Sequence, residues 1–203
     1  MAIGRADMSR LPAVVLICLL SAMAFGCRAA GPAPMSAAEL QALMERERQA
    51  QELFQQALSA EGDPKRQEDL YRQAAGIAPD MGKAHNNLGL LLLAQERYDE
   101  AVPELREAVK DAPDRAEPRF NLGYAYELIG RLPEAEDGYA AAVRLCPDEA
   151  DYLESLARVY IKLKQFPDKT RDLLERALTH ETRPDHVRWI DEQLGELRSG
   201  LIP

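Results

Sequence analysis

Histidines and neighbouring carboxylates are the residues of this chain that could bind a metal ion or support catalysis. The histidines are His85, His180 and His186. A zinc-hydrolase helix needs its second histidine three residues after the glutamate, so that both histidines share one face. Here His186 comes five residues after Glu181, and Pro184 interrupts any helix between them. We therefore predict no metal site.

Sequence motifs that would indicate other chemistry are also missing. The chain contains no GxSxG, no GxxxxGK[ST] and no CxxC, so a nucleophile elbow, a phosphate-binding loop and a paired-cysteine site find no support. Its three cysteines have to be interpreted singly. Cys18 lies in an apolar run, Cys27 follows that run, and Cys146 before Pro147 is predicted to pack as a small hydrophobe. The sequence predicts a protein that is not an enzyme and has no cofactor.

The charge balance excludes one class of partner. The chain carries a formal net charge of -9, and residues 1–26 carry +1, so the remainder carries -10. Such a surface offers no basic patch for a phosphate backbone, so nucleic acid is not expected as a partner. The 203 residues, 46% of them hydrophobic with few aromatics, are typical of one helical domain plus appendages.

The N-terminus has the form of a signal peptide. Arg5 and Arg10 precede an uncharged, mostly apolar run over residues 11–26. That run is shorter than the roughly 18 to 20 residues a helix needs to span a bilayer. We predict a signal peptide over residues 1–26.

The end of this run, residues 24–27 (Ala-Phe-Gly-Cys), resembles a bacterial lipobox. The resemblance implies that Cys27 is lipidated and becomes the new N-terminus, which would anchor the protein in the cell envelope, facing the periplasm. Because residue 28 is Arg28 and not aspartate, the sorting rule of enteric bacteria favours the outer membrane. The alternative is an ordinary secretory signal cut between Ala22 and Ala30, which leaves a soluble periplasmic or secreted protein. Residues 27–38, rich in Ala, Pro and Gly, are predicted to form a flexible tether.

One pattern recurs in the remainder at a spacing of 34 residues, with small residues and prolines at fixed positions. The matching residues are Leu88 and Leu122, Gly89 and Gly123, Ala101 and Ala135, Leu105 and Tyr139, Ala108 and Ala142, and Pro113 and Pro147. Pro79 and Asp80 add a third occurrence of the proline and aspartate that end each copy.

This period and these positions resemble the tetratricopeptide repeat, a helical hairpin that stacks into an α-solenoid. The resemblance implies an all-α fold with a degenerate first repeat over residues 48–81, then repeats over 82–115, 116–149 and 150–182, and a C-terminal capping helix over 183–203. The fourth repeat fits only with one extra residue near Phe166. Gly89 and Gly123 are expected to face Ala101 and Ala135 across each hairpin, and Asp114 with Glu117 resembles a capping box.

The resemblance also implies a partner-binding surface. In this family the concave face is lined by first-helix side chains at repeat positions two, five, six, nine, twelve and thirteen. Those positions give these candidates for binding an extended peptide or a partner protein: Asn86, Asn87, Leu90, Phe120, Asn121, Tyr124, Glu127 and Arg158. Asn87 and Asn121 resemble the asparagine ladder of O-linked N-acetylglucosamine transferases, in which amides hold a peptide backbone. Equally, asparagine is simply the commonest residue there, and Phe120 and Tyr124 are either anchors or ordinary wall residues.

The sequence therefore predicts a non-catalytic scaffold or adaptor that is anchored in the envelope through Cys27. By resemblance, small lipoproteins with such repeats serve as pilotins for pilus secretins, as parts of outer-membrane assembly machinery, and as adaptors for cell-wall hydrolases. The alternative is a soluble periplasmic or secreted module that holds other chains through Leu90, Phe120 and Tyr124.

Overall fold

The computed structural model describes residues 35–200, and within them every element is a helix, so the predicted all-α fold is confirmed. Short turns join nine helices in that range: α1 (Ala37–Ser59), α2 (Pro64–Ile77), α3 (Gly82–Ala94), α4 (Tyr98–Asp111), α5 (Ala116–Leu128), α6 (Leu132–Leu145), α7 (Ala150–Leu163), α8 (Pro167–His180) and α9 (Pro184–Ser199). The predicted signal peptide, Cys27 and most of the predicted tether lie outside the described residues. None of the helices in residues 35–200 is long and apolar enough to cross a bilayer.

The described chain divides into two units between Glu45 and Arg46. In the described part of the first unit, Ser36 and Glu39 form a capping box at the start of α1. The Ser36 amide donates to Glu39 Oε2 at 2.7 Å, and the Glu39 amide donates to Ser36 Oγ at 3.3 Å. These bonds satisfy two of the backbone donors that a helix leaves free at its first turn, which explains why the helix begins there.

In the second unit, consecutive helices pack as hairpins that stack on one another. The most extensive contacts lie within the pairs α3–α4, α5–α6 and α7–α8, and the second helix of each hairpin also contacts the first helix of the next. α3 touches α5 directly, so first helices of neighbouring hairpins share one face of the stack. These three hairpins occupy the predicted second, third and fourth repeats.

Glycine allows the two helices of a hairpin to approach closely. A Cβ atom added to Gly89 would lie 2.6 Å from Cγ of Leu105, which real Cβ atoms do not do. In the next hairpin a Cβ on Gly138 would lie 2.8 Å from Cα of Gly123. The close approach expected at Gly89 and Gly123 is confirmed, and the nearest side chains there belong to Leu105 and Tyr139, one turn beyond Ala101 and Ala135.

Alanine fills the places where second helices meet the rest of the stack. Ala101 and Ala108 of α4, and their equivalents Ala135 and Ala142 of α6, are fully buried. Small side chains allow packed helices to approach closely, and these alanines recur after 34 residues, as the sequence period requires.

The first repeat departs from the others where the sequence does. Gln67, at a position that is small elsewhere, donates from its side chain to the Ala57 carbonyl at 3.2 Å. Phe54 packs on Tyr71 with ring centroids 5.7 Å apart. A side-chain hydrogen bond and an aromatic pair thus join α1 to α2 where the later repeats use close backbone contact.

The fourth repeat accommodates its extra residue in its first helix. α7 has 14 residues, whereas α3 and α5 have 13. The following turn holds Lys164 and Phe166 at φ values of 55°, a left-handed conformation that non-glycine residues rarely adopt. α8 begins at Pro167, which tolerates the first helical position because it has no amide hydrogen to satisfy.

The last helix, α9, packs on α8 and covers the end of the stack. Ile190, Leu194 and Leu197 are buried, and Trp189 packs beside them while partly exposed. Two expectations about the loops were wrong. Cys146 is exposed and does not pack in the core, and α5 has no side-chain capping bond, since Arg115 occupies the cap position and Asp114 does not.

Candidate partner-binding surface

The predicted binding residues lie on α3, α5 and α7, whose shared face is called here the first-helix surface. Two of the asparagines are interior residues of that face. Asn86 and Asn121 are 4% and 7% exposed, and the Asn121 amide donates to Asn86 Oδ1 at 2.8 Å. Asn86 in turn donates toward Glu117 Oε1 at 3.3 Å. These two amides therefore tie the second repeat to the third and set the register between α3 and α5.

Asn87 faces the preceding repeat. Its side-chain amide donates to the Tyr71 hydroxyl at 3.3 Å, and its Oδ1 accepts from Asn86 at 3.4 Å. Asn121, one period later, bonds Asn86 of the preceding first helix instead of a second helix, so the two predicted ladder positions differ in their contacts. The amides form a chain through the wall of the surface, and Asn87 is its most accessible member.

Phe120 is a wall residue. Its ring lies 5.2 Å from that of Tyr139 in the same hairpin and 4.7 Å from that of Tyr152 in the next, measured between centroids. Aromatic pairs at such distances add to the energy of apolar burial. Of the two roles left open for Phe120, the geometry favours packing between repeats.

Glu127 is a nearly buried carboxylate with three donor side chains. It is 7% exposed and accepts from Arg158 Nε at 2.9 Å, from Lys162 Nζ at 2.7 Å and from the Tyr139 hydroxyl at 2.7 Å. Burial by itself would raise the pKa of Glu127, but the hydrogen bonds from Arg158, Lys162 and Tyr139 outweigh it and lower the pKa to about 2. Glu127, Arg158, Lys162 and Tyr139 are called the Glu127 cluster below.

Glu127 and Arg158, which are both predicted binding residues, bond to each other but differ in their exposure to solvent. The carboxylate is enclosed, whereas the two cations that surround it keep part of their surface in water. Sequence reasoning did not single out Lys162, although it occupies repeat position thirteen of the fourth repeat. Its spacing of four residues from Arg158, on the same helical face, is the feature that would have revealed it.

Large apolar side chains are exposed on the same surface. Leu90, Tyr124 and Leu128 are between 37% and 41% exposed. Leu90 and Tyr124 occupy the same repeat position on adjacent first helices, and Leu128 follows Tyr124 by one turn. The Asn86–Asn121 bond places α3 and α5 in register, so Leu90 and Tyr124 lie one turn beyond that bond, side by side. Leu90 and Tyr124 are the large apolar members of the predicted binding set that the structure leaves exposed.

A second polar cluster joins α7 to the segment before α9, and sequence reasoning missed it. Asp151, Glu181 and His186 each bring one potential metal-ligand atom within 4.8 Å of the others. The Arg183 guanidinium occupies this group, with Nε 2.9 Å from Glu181 Oε1 and a further bond to Asp151. The cluster thus contains a cation of its own. His180, which the rejected zinc motif would have used, lies elsewhere, 3.9 Å from Asp148.

Glu154 completes this second cluster. It is buried, its Oε2 lies 2.8 Å from His186 Nδ1, and its Oε1 has no donor. Burial raises the pKa of Glu154, while hydrogen bonds from Arg183 lower the pKa of Glu181. The neighbouring Glu181 carboxylate adds to the rise in the pKa of Glu154, and Glu154 adds to the lowering of the pKa of Glu181. The bonds of Glu154 and Asp151 with His186 and Arg183 join the fourth repeat to the capping helix.

Comparisons with known proteins agree with this architecture. The sequence profile of the family described as "Tetratricopeptide repeat" matches residues 38–104 and 86–150. A structure titled "Crystal structure of MamA" is 22% identical, with a TM-score of 0.63 over 70% of this chain and 81% of that one. A structure titled "Functional Characterization of Pseudomonas Aeruginosa pilF" is 20% identical, with a TM-score of 0.62 over 75% of this chain and 74% of that one. No curated protein matches the sequence.

Proposed function

The chain belongs to the tetratricopeptide repeat family, and we propose that it is a non-catalytic adaptor, anchored in a bacterial envelope through Cys27, that binds an extended segment of a partner protein along the first-helix surface. Repeats of this family are interaction modules, and the family assignment supports a protein-interaction scaffold. The anchor, the compartment and the binding residues are the parts that the proposal adds.

The observation that carries the binding proposal is the exposure of Leu90 and Tyr124. Most large apolar residues of the described chain are buried in the stack, and these two, with Leu128, face outward on neighbouring first helices. An exposed apolar group on a repeat surface is typical of a contact for another chain. The partly accessible amide of Asn87 on the same surface can donate to a peptide carbonyl.

The test of the binding site is a crosslinking pulldown from cells with a two-residue variant, Leu90→Ser with Tyr124→Ser. We expect partners that the wild type captures to be lost. The matched control is Leu145→Ser, because Leu145 is 41% exposed, as Tyr124 is, but lies on the second helix α6. Partner lists that are identical for the wild type and the double variant would contradict the proposed site. Variants of Phe120 or Asn121 are unsuitable, since both residues hold repeats together.

The test of the anchor is Cys27→Ala followed by cell fractionation. The proposal rests on the lipobox-like residues 24–27 and predicts that the wild type is found with membranes and that the variant is not. Metabolic labelling with a fatty-acid analogue should mark the wild type alone. A wild-type chain recovered in the soluble periplasmic fraction would contradict the anchor and favour the alternative of an unanchored module.

A further inference from the structure

The half of the first-helix surface that exposes Leu90 and Tyr124 has a distinctive distribution of charge. From Gly89 to Ala94, the C-terminal half of α3 carries no ionisable residue. The corresponding half of α5 carries one charged residue, the enclosed Glu127, and that of α7 carries two, Arg158 and Lys162. This part of the surface therefore has a net positive charge, although the whole chain carries -9.

The same order appears in two rows that run across the repeats. Repeat position nine is Leu90, then Tyr124, then Arg158, and one turn further position thirteen is Ala94, then Leu128, then Lys162. Both rows change from apolar in the second and third repeats to cationic in the fourth. The Asn86–Asn121 bond aligns α3 with α5, and the bonds from Arg158 and Lys162 to Glu127 align α5 with α7, so the rows are aligned in space as well as in sequence.

Arg158 and Lys162 are oriented by Glu127 but retain the capacity to bind a further acceptor. Both bond Glu127, whose single negative charge cannot neutralise two positive ones, and the Lys162 side chain is 48% exposed. Each keeps N–H groups for a further acceptor, since lysine has three and arginine five. Because Glu127 orients them, a partner's carboxylate would bind to donors that have already lost much of their side-chain freedom.

We infer that the segment bound by this surface carries large apolar side chains at one end and acidic side chains, Asp or Glu, at the other. The inference rests on the proposed function and adds the chemistry of the partner. Neighbouring first helices are roughly 10 Å apart, and an extended peptide advances about 3.3 Å per residue. One repeat thus corresponds to about three peptide residues. The expected pattern is two apolar residues about three apart, and an acid about three residues further on.

Selection from a phage-displayed library of random dodecapeptides on the full-length chain tests this inference. We expect the selected peptides to be enriched in Asp and Glu at the stated distance from an apolar residue. That outcome is discriminating, because an acidic protein attracts basic peptides nonspecifically. For the best peptide, replacing its acids with lysine should weaken binding about fivefold or more, as expected for two part-exposed ion pairs.

Two variants connect the result to the residues. Lys162→Glu should remove the preference for acids, while Lys110→Glu, an exposed lysine on the second helix α4, should retain it. Peptides that need Leu90 and Tyr124 but show no acidic enrichment, or favour bases, would overturn this inference and leave the proposed function standing. If every selected peptide bound the Leu90→Ser, Tyr124→Ser variant as well as the wild type, both would fail.

Discussion

Glu127 shows how a single side chain can serve both the fold and the surface. It receives bonds from Tyr139 within its own repeat and from Arg158 and Lys162 in the next. A buried carboxylate is costly unless donors replace its lost water, and here three of them do. The residue thus joins the third and fourth repeats and positions the cations of the first-helix surface.

Replacing Glu127 with glutamine should destabilise the protein by about 2 kcal/mol at pH 7, because bonds to a charged acceptor become bonds to a neutral one and Arg158 and Lys162 lose their counterion. Urea unfolding followed by circular dichroism measures this. Glu107→Gln is the control, since Glu107 pairs with Lys110 on the exposed face of α4, and it should leave the free energy of unfolding close to that of the wild type.

The contribution of Glu127 should also depend on pH with a defined sign. Its pKa in the folded protein, about 2, lies below the unfolded value, so its stabilisation is present above pH of about 4.3 and is lost as the pH falls toward 2. The difference in unfolding free energy between the wild type and Glu127→Gln should therefore shrink over that range. A difference that stays constant from pH 5 to pH 2.5 would argue against the assigned role.

His85 is expected to show the opposite pH dependence. Its Nδ1 lies 2.7 Å from Glu104 Oε2 and its Nε2 lies 3.1 Å from the Pro79 carbonyl, so both ring nitrogens face acceptors. The hydrogen bond with Glu104 raises the pKa of His85 above its usual value, against the effect of burial. With a raised folded pKa, the stabilisation is complete below pH of about 6.5 and is lost as the pH rises through the folded pKa.

The variant His85→Gln tests this. We expect it to be less stable than the wild type by about 1.5 to 3 kcal/mol at pH 5.5, the range for a hydrogen bond to a charged group, and by progressively less at higher pH. Urea unfolding at several values between pH 5.5 and 9 gives the comparison. His180→Gln, on an exposed side chain, should leave the stability at pH 5.5 close to that of the wild type. If His85→Gln lost the same unfolding free energy at pH 5.5 and at pH 9, the His85 ring would have to be neutral in the folded protein.

The sequence predicted which residues share the first-helix surface better than it predicted their contacts. Repeat position alone put Leu90, Tyr124 and Arg158 on one face, because a periodic fold repeats its geometry with its period. It could not separate exposed residues from enclosed ones, since Asn121 and Asn87 occupy equivalent positions yet only Asn121 bonds to the preceding first helix. That difference depends on Asn86, whose equivalents in the next repeats are Phe120 and Glu154.

At the level of helices, Gly89 gives the sharpest prediction. Leu105 fills the space that a side chain at this position would occupy, so Gly89→Leu should cost about 1 to 3 kcal/mol by overpacking. The matched control is Gly195→Ala in α9, where a Cβ would meet nothing within 4 Å. It should stabilise the protein by about 0.5 to 1 kcal/mol through helix propensity. Thermal unfolding compares the two, and an unchanged melting temperature for Gly89→Leu would show that α3 and α4 are not held this close.

The sequence predicted helix boundaries well where a proline begins or ends the helix. It predicted them less well where other residues occupy the boundary. The sequence placed the extra residue of the fourth repeat near Phe166, whereas in the structure α7 itself is one residue longer than α3 and α5. The capping box expected at Asp114 failed because α5 begins one residue later than that motif requires, with Arg115 as its cap. Such shifts depend on how neighbouring helices pack, which local sequence does not specify.

For the whole molecule, stacking means that each repeat contacts mainly its neighbours, so a terminal element is held from one side only. α9 contacts α8 and buries Ile190, Leu194 and Leu197. Glu154, Glu181 and His186 add polar bonds at the same junction. If the stack behaves as a chain of neighbour contacts, weakening this junction should release α9 before the repeats unfold.

The variant Leu194→Ala tests whether α9 unfolds before the repeats. The sole tryptophan of the chain, Trp189, reports on α9, while circular dichroism reports on all the helices. Truncating a buried leucine costs about 2 to 5 kcal/mol. In the wild type we expect both probes to show one urea transition. In Leu194→Ala the fluorescence transition should move to lower urea than the dichroism transition, whereas Leu145→Ala, on an exposed side chain, should leave both in place. Two probes that shift together in Leu194→Ala would show that α9 is an integral part of one cooperative unit, in which the junction at Glu154 transmits stability across the whole stack.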